Sequence, residues 1–242
     1  MVSKESVIKR RSIRKYEMKR LSDDVLQELR DFIGNIELPF AGKFGFSILG
    51  KTEYDKNSGG MFGISAPHYL MFFGDKNDDN VLRNVGYAGE LAALKLADMG
   101  LGTCWLGGPK SKETLDGSEY IICICFGGPL DALRGSEEEA ERKSFKEIAE
   151  GYNEEQKEIL RWVRLAPSAR NLQPWFFRCE ADKIHIFKVK TGGLMSKLAV
   201  FTILQKIDIG IAISHFSLAG PFTVENSPQD GKGMRYECTL KF

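Results

Sequence analysis

Apolar residues recur at helical spacing in Val25-Leu26-x-x-Leu29-x-x-Phe32-Ile33, and Ser22 and Gly34 bracket them as cap and stop. A helix is predicted there. Phe44 to Leu49 reads as a short strand, 55–60 as a loop, and the wholly apolar Tyr69–Phe73 as a buried strand. The longest helix is predicted from about Asp78 to Met99, closed by Gly100-Leu101-Gly102. Thr103–Leu106 follows as a buried segment and Glu119–Phe126 as a strand stopped by Gly127-Gly128-Pro129. Residues 136–158 are charge-rich and read as a solvated, partly helical connection.

The order of elements then starts again. Ile159–Val163 reads as a helix, Trp175–Phe177 and Ile184–Phe187 as strands, Leu198–Leu218 as a second long apolar helix, and Tyr236–Phe242 as a closing strand. Val85-Gly86-Tyr87-Ala88-Gly89 in the first long helix resembles Ile209-Gly210-Ile211-Ala212-Ile213 in the second. Small residues at such spacing let helices approach closely. Any two core helices share that much, but the repeated order of elements raises the case for a diverged duplication.

Composition narrows the function classes. The chain has 242 residues, 34 Lys plus Arg against 33 Asp plus Glu, and a formal net charge of +1. That balance speaks against a general nucleic-acid partner, which calls for a basic excess, without excluding a local cationic pocket. The 5 cysteines contain no Cys-x-x-Cys, so buried free thiols are expected rather than a zinc ribbon or redox motif. Charges run through the N-terminal segment, and no apolar stretch reaches the ~18 residues of a membrane span. A cytoplasmic protein with no membrane partner is expected. His68, His185 and His215 have no second ligand at metal spacing and read as packing or surface residues, so no metal site is expected.

Three segments carry candidate chemistry. Arg10-Arg11-Ser12-Ile13-Arg14-Lys15-Tyr16 is a compact donor set suited to phosphate, although a run of this kind fits a solvated N-terminal arm better. Ala166-Pro167-Ser168-Ala169-Arg170-Asn171-Leu172-Gln173-Pro174-Trp175 is either a rigid helix-to-strand turn or a binding loop whose Ser168, Asn171 and Gln173 meet a heterocycle edge. In the third, Gly100 to Gly108, Trp105 stands where a dinucleotide fingerprint needs glycine, yet Gly107-Gly108 allows a flat ligand close to the backbone. Gly100 itself is explained as a helix stop. No nucleophile with its base and no carboxylate pair stands out, which points to a cofactor that supplies the reactivity.

Together these segments resemble the nitroreductase family of FMN-dependent oxidoreductases. The family opens on Arg-Arg-Ser-x-Arg-x-aromatic, matched at Arg10–Tyr16. It carries Ala-Pro-Ser-x-x-Asn-x-Gln-Pro-Trp, matched at Ala166–Trp175, and a Gly-rich segment after the central helix, matched at Gly100–Gly108. One departure is large: the Pro-Ser motif is missing from the first half, where Asn35–Gly42 stands in its place, and appears only in the second. Family members are homodimers whose flavin takes the arginine motif from one subunit and the Pro-Ser loop from the other.

The resemblance therefore implies a single-chain pseudo-dimer with one working site. Its fold would be α+β, with mixed and antiparallel sheets, long central helices and two halves, 1–150 and 151–242, in one compact unit; further association is not required. Arg10, Arg142 and Lys143 would hold the FMN phosphate, Ser12 and Arg14 would reach its phosphate-ribityl or pyrimidine side, and Arg11 would also bind the cofactor. Leu106, Gly107 and Gly108 would present backbone to its ring, and Pro167, Ser168, Asn171 and Gln173 would meet it from the other half. No protein residue would act as nucleophile. NADH or NADPH would reduce the flavin, and a nitroaromatic, quinone or similar small-molecule acceptor would reoxidise it by a ping-pong cycle. A dehalogenase, a dehydrogenase or a flavin- or NAD-binding protein without turnover are the alternatives.

Overall fold

The computed structural model describes residues 2–58, 64–107, 114–190 and 199–242. In chain order the first part forms α1 (Lys4–Lys9), α2 (Asp23–Gly34), β1 (Gly45–Gly50), α3 (Lys51–Ser58), β2 (His68–Phe73), α4 (Asp79–Asp98), β3 (Gly102–Leu106), β4 (Thr114–Leu115) and β5 (Ser118–Gly127). The second part forms α5 (Phe145–Ile148), β6 (Ala149–Glu150), α6 (Glu154–Arg164), β7 (Trp175–Glu180), β8 (Lys183–Lys188), α7 (Ala199–Phe216), β9 (Thr223–Glu225) and β10 (Arg235–Lys241). The class is α+β. Ser22 caps α2 as its sequence predicts, accepting from Val25 N. The segment read as a loop at 55–60 instead closes α3 through Ser58, and its last two positions lie outside the described residues.

Two five-stranded sheets flank the long helices. The first runs β1-β2-β5-β3, antiparallel, with β4 folded back on β5. The second runs β6-β7-β8-β10-β9, antiparallel except for the parallel β6–β7 pair. With β4 and β6 set aside, the strand orders coincide, and in each sheet a helix precedes the first strand and the long helix follows the second. Although Ala149–Glu150 falls at the end of the first half as divided from sequence, it pairs with the second sheet.

The long helices α4 and α7 form the centre, packing on each other more extensively than any other pair of elements. Almost every residue of α4 from Val81 to Ala97 is buried, the polar Arg83, Asn84 and Glu90 included. Their crossing is reciprocal. A Cβ on Gly86 would lie 2.1 Å from Ile207 O, and a Cβ on Gly210 would lie 2.0 Å from Arg83 O. Each glycine thus meets the carbonyl three residues before the other. Among the described residues no helix is long and apolar enough to cross a membrane.

Candidate functional site

Arg10 ends α1, and the chain then runs extended beside β3, where Ile13 N donates to Thr103 O at 2.9 Å and Ser12 bridges Thr103 in parallel. Ile13 and Tyr16 are buried beneath, while Arg10, Arg11, Ser12 and Arg14 border a cleft of about 1150 Å³. The arginine run is therefore built into a sheet edge rather than left as a solvated arm. The opposite wall is the Ala166–Trp175 loop together with one face of α7, including Leu204, Ile207 and Ile211. The cleft lies between the N-terminal segment with β3 and elements far along the chain.

At one end arginines converge. Arg134 is buried and donates through Nη2 to Arg10 O. Arg142 donates to Asn171 Oδ1 at 3.0 Å and to Leu165 O at 3.1 Å. Burial, and then the positive charge of Arg10, pushes both guanidinium groups down to about 10; Arg134 adds to the effect on Arg142. Behind them the buried Glu90 of α4 sits 3.3 Å from Arg10 Nε, accepts from Trp105 Nε1 at 2.8 Å and lies 3.5 Å from His215 Nε2. Burial alone would raise its pKa, but Arg10, His215 and Trp105 together hold it below the ordinary glutamate range. One buried carboxylate does not use up this donor set. Among the described residues, Arg10 Nη2, Arg134 Nη1 and Arg142 Nε have no hydrogen-bond partner. Buried charged donors of this kind call for an anion with several oxygens.

The Ala166–Trp175 loop is held under strain. Arg170, Asn171 and Gln173 sit at φ 54°, 57° and 47°, left-handed values that cost non-glycine residues free energy. Several bonds hold it there. Ser168 Oγ accepts from Gln173 N at 2.8 Å, and Asp208 Oδ1 accepts from Ala169 N at 2.9 Å. Asn171 Nδ2 donates to Glu141 O at 2.9 Å, and Lys143 Nζ donates to Leu172 O and Gln173 O at 2.9 and 3.1 Å. Asp208 is buried in α7 and borders the cleft, and burial pushes its carboxyl up to about 8 against the opposing Ala169 N–H.

Of the residues singled out by sequence, Arg10, Arg11, Ser12, Arg14, Gly107, Arg142, Pro167, Ser168 and Asn171 come together around the cleft. Lys143 and Gln173 do not border it: Lys143 N donates to Gln173 Oε1 at 2.9 Å, and the two brace the loop from behind. Leu106 is buried at the end of β3 beside the cleft rather than on it, and Gly108 lies outside the described residues. Sequence reasoning missed Arg134, Glu90 and Asp208. The last two had a signal, each being an acid inside a long, largely apolar helix; Arg134, between Leu133 and Gly135, had none.

All five cysteines are free and buried. Cys104 faces Cys125 across the β3–β5 ladder and borders the cleft; its hydrogen bond with Cys125, with help from Arg14 and Arg10, lowers its thiol. His68 Nε2 accepts from Leu21 N, and His185 Nδ1 meets Thr239 Oγ1 at 2.8 Å.

The family model described as "Putative TM nitroreductase" matches residues 3–220. A putative nitroreductase from Thermotoga maritima MSB8 superposes with a TM-score of 0.69 at 21% identity, covering 100% of this chain and 94% of that one. A nitroreductase family protein from Clostridium difficile 630 superposes with a TM-score of 0.52 at 17% identity, covering 63% of this chain and 99% of that one. No curated protein matches.

Proposed function

The chain belongs to the family described as "Putative TM nitroreductase", and from that membership we propose an FMN-dependent oxidoreductase that passes reducing equivalents from NADH or NADPH to a nitroaromatic, quinone or similar electron-poor acceptor. The observation that carries this reading is the set of buried arginine donors without acceptors at one end of the cleft, opposite an apolar helix face. A phosphate monoester answers the first and a planar ring the second. The volume of about 1150 Å³ exceeds the ~300–1,000 Å³ of ordinary small-molecule sites and leaves room for a second planar ligand.

Arg10, Arg134 and Arg142 hold the phosphate, with Ser12 and Arg14 beside them. Pro167 and Ser168 cover the ring from the loop, Gly107 lets it approach the backbone, and Leu204, Ile207 and Ile211 keep water from it. FMN, when bound, supplies hydride exchange with donor and acceptor. Asn171, Lys143 and Gln173 act as braces, fixing Arg142 and the strained loop.

We also infer that the chain is an internal duplication with one working site. The coincident strand orders and the reciprocal Gly86–Gly210 crossing support it. Three residues before each crossing glycine stand Ile207, on the cleft, and Arg83. Arg83 donates to the buried Glu237 at 2.7 Å, and Lys206 Nζ lies 2.7 Å from both Glu237 and Asp79. An ion network thus occupies the position equivalent to the cleft wall.

The test is direct. Purified protein incubated with FMN and desalted is expected to be yellow and to bleach under anaerobic NADH or NADPH. A protein that stays colourless overturns the reading.

A further inference from the structure

The two long helices provide an internal comparison. Two residues before each crossing glycine stands a buried polar side chain, Asn84 in α4 and Asp208 in α7. Each fastens the loop that leads into the first antiparallel strand of its own half. Asn84 uses its whole amide: Oδ1 accepts from Phe40 N at 3.2 Å, and Nδ2 donates to Phe40 O and Gly42 O, both at 2.9 Å. Among the described residues Asp208 makes only the equivalent fastening bond, Oδ1 accepting from Ala169 N at 2.9 Å, while its buried Oδ2 has no partner. An amide would do this fastening without bringing an ionisable group into an apolar wall, where a lone charge is costly. The carboxyl occurs at the position that borders the cleft.

Other charged groups share the cleft: Arg10, Arg11 and Arg14 from the N-terminal segment, Arg134, Glu139, Glu141 and Arg142 from the connection, and Arg170 from the loop. The upward displacement of Asp208 comes from burial, opposed only by the Ala169 N–H, and none of these charges contributes to it. Lys206, two residues away on α7, is engaged by Asp79 and Glu237.

We propose that Asp208 is the proton donor of the cleft, its Oδ2 hydroxyl protonating an oxygen of the acceptor reduced there. This rests on the flavin reading of the site. The acceptor gains two electrons and one hydrogen as hydride. Its oxygen takes the second hydrogen as the Oδ2–H bond breaks and a new O–H bond forms. A quinone thereby becomes a hydroquinone, and a nitro group becomes a dihydroxyamine that loses water to give a nitroso group. The Asp208 carboxylate then recovers its proton from solvent.

The test uses Asp208→Asn, which retains an oxygen for Ala169 N as Asn84 does for Phe40 N. FMN uptake and bleaching by NADH or NADPH are expected to match wild type. Reoxidation by a quinone should slow by about 100-fold, the lower end of general-acid effects. It should also lose the decline that wild type shows as pH rises past about 8. Reoxidation by ferricyanide, which takes electrons without protons, should be unchanged. Flavin-free wild-type protein at neutral pH should show an infrared carboxylic-acid carbonyl band that D208N lacks. Absence of that band, or D208N reoxidised by quinone at the wild-type rate after normal bleaching, overturns the assignment of Asp208 alone. A wild-type protein that takes up no flavin overturns both this and the proposed function.

Discussion

Gly210→Ala is the sharpest probe of the α4–α7 crossing. The added Cβ would sit 2.0 Å from Arg83 O, 2.8 Å from its carbonyl carbon and 3.0 Å from its Cα. All three are backbone atoms, so no side chain can swing aside. Restoring a carbon contact of about 3.5 Å requires the helices to part by roughly 1.5 Å. Over-packing of a core costs about 1–3 kcal/mol, and a backbone obstruction belongs at the top of that range, near ~3 kcal/mol. In a chain of this size that lowers Tm by about 6–12 °C, at ~2–4 °C per kcal/mol. Urea and thermal unfolding followed by circular dichroism measure it. Gly34→Ala is the control, because a Cβ there meets nothing within 4 Å and the residue ends a helix; it should be neutral or stabilising by up to ~1 kcal/mol. Gly86→Ala obstructs the same crossing at Ile207 O, so the double variant should cost clearly less than the two single losses added together. A Gly210→Ala protein within about 0.5 kcal/mol of wild type, a change typical of neutral surface sites, would refute the close approach.

Arg142→Ala removes a charged donor and should weaken FMN binding by about 10–100-fold, from ~1.5–3 kcal/mol per charge-assisted bond, while leaving riboflavin binding little changed. Equal losses for both ligands in a fluorescence titration would contradict a phosphate at that end. For Asp208 the folded carboxyl titrates near 8 and the unfolded one near ~3.9, so in that window the folded state holds the extra proton and loses stability as pH rises. D208N should therefore gain on wild type with increasing pH across this window in urea midpoints; parallel curves would refute it. Lys206→Met leaves Glu237 with less compensation in the interior and should cost about 3 kcal/mol, read by urea unfolding, with a loss below ~1 kcal/mol counting against the buried network.

Much of the framework is legible in the amino-acid pattern. α4 stands out because it is long, rich in apolar and small residues, and bounded by Asp78, whose side chain caps it, and by Gly100. β2 and β5 are recognisable as continuous apolar runs. β9 is only Thr223–Glu225, set among polar and proline residues, and β6 is two residues long; pairing with neighbours makes them strands, and no local pattern does. In the site, the arginine and Pro-Ser motifs identify segments but not the direction of each side chain. Lys143 and Gln173 stand beside cleft residues, yet they bond to each other because the left-handed turns at Asn171 and Gln173 turn the loop back on itself. Arg134 has no sequence neighbour that betrays it and reaches the cleft only because its backbone N–H pairs with Lys9 O. Asp208 reads as one acid in a core helix until the cleft beside it is known.

In the reading proposed above, one chain builds one phosphate-holding cleft from two unlike halves. Equilibrium titration of the purified chain with FMN, followed by flavin fluorescence, tests this most directly. Saturation is expected at one FMN per chain; saturation at two, or no binding at all, would overturn the single-cleft reading.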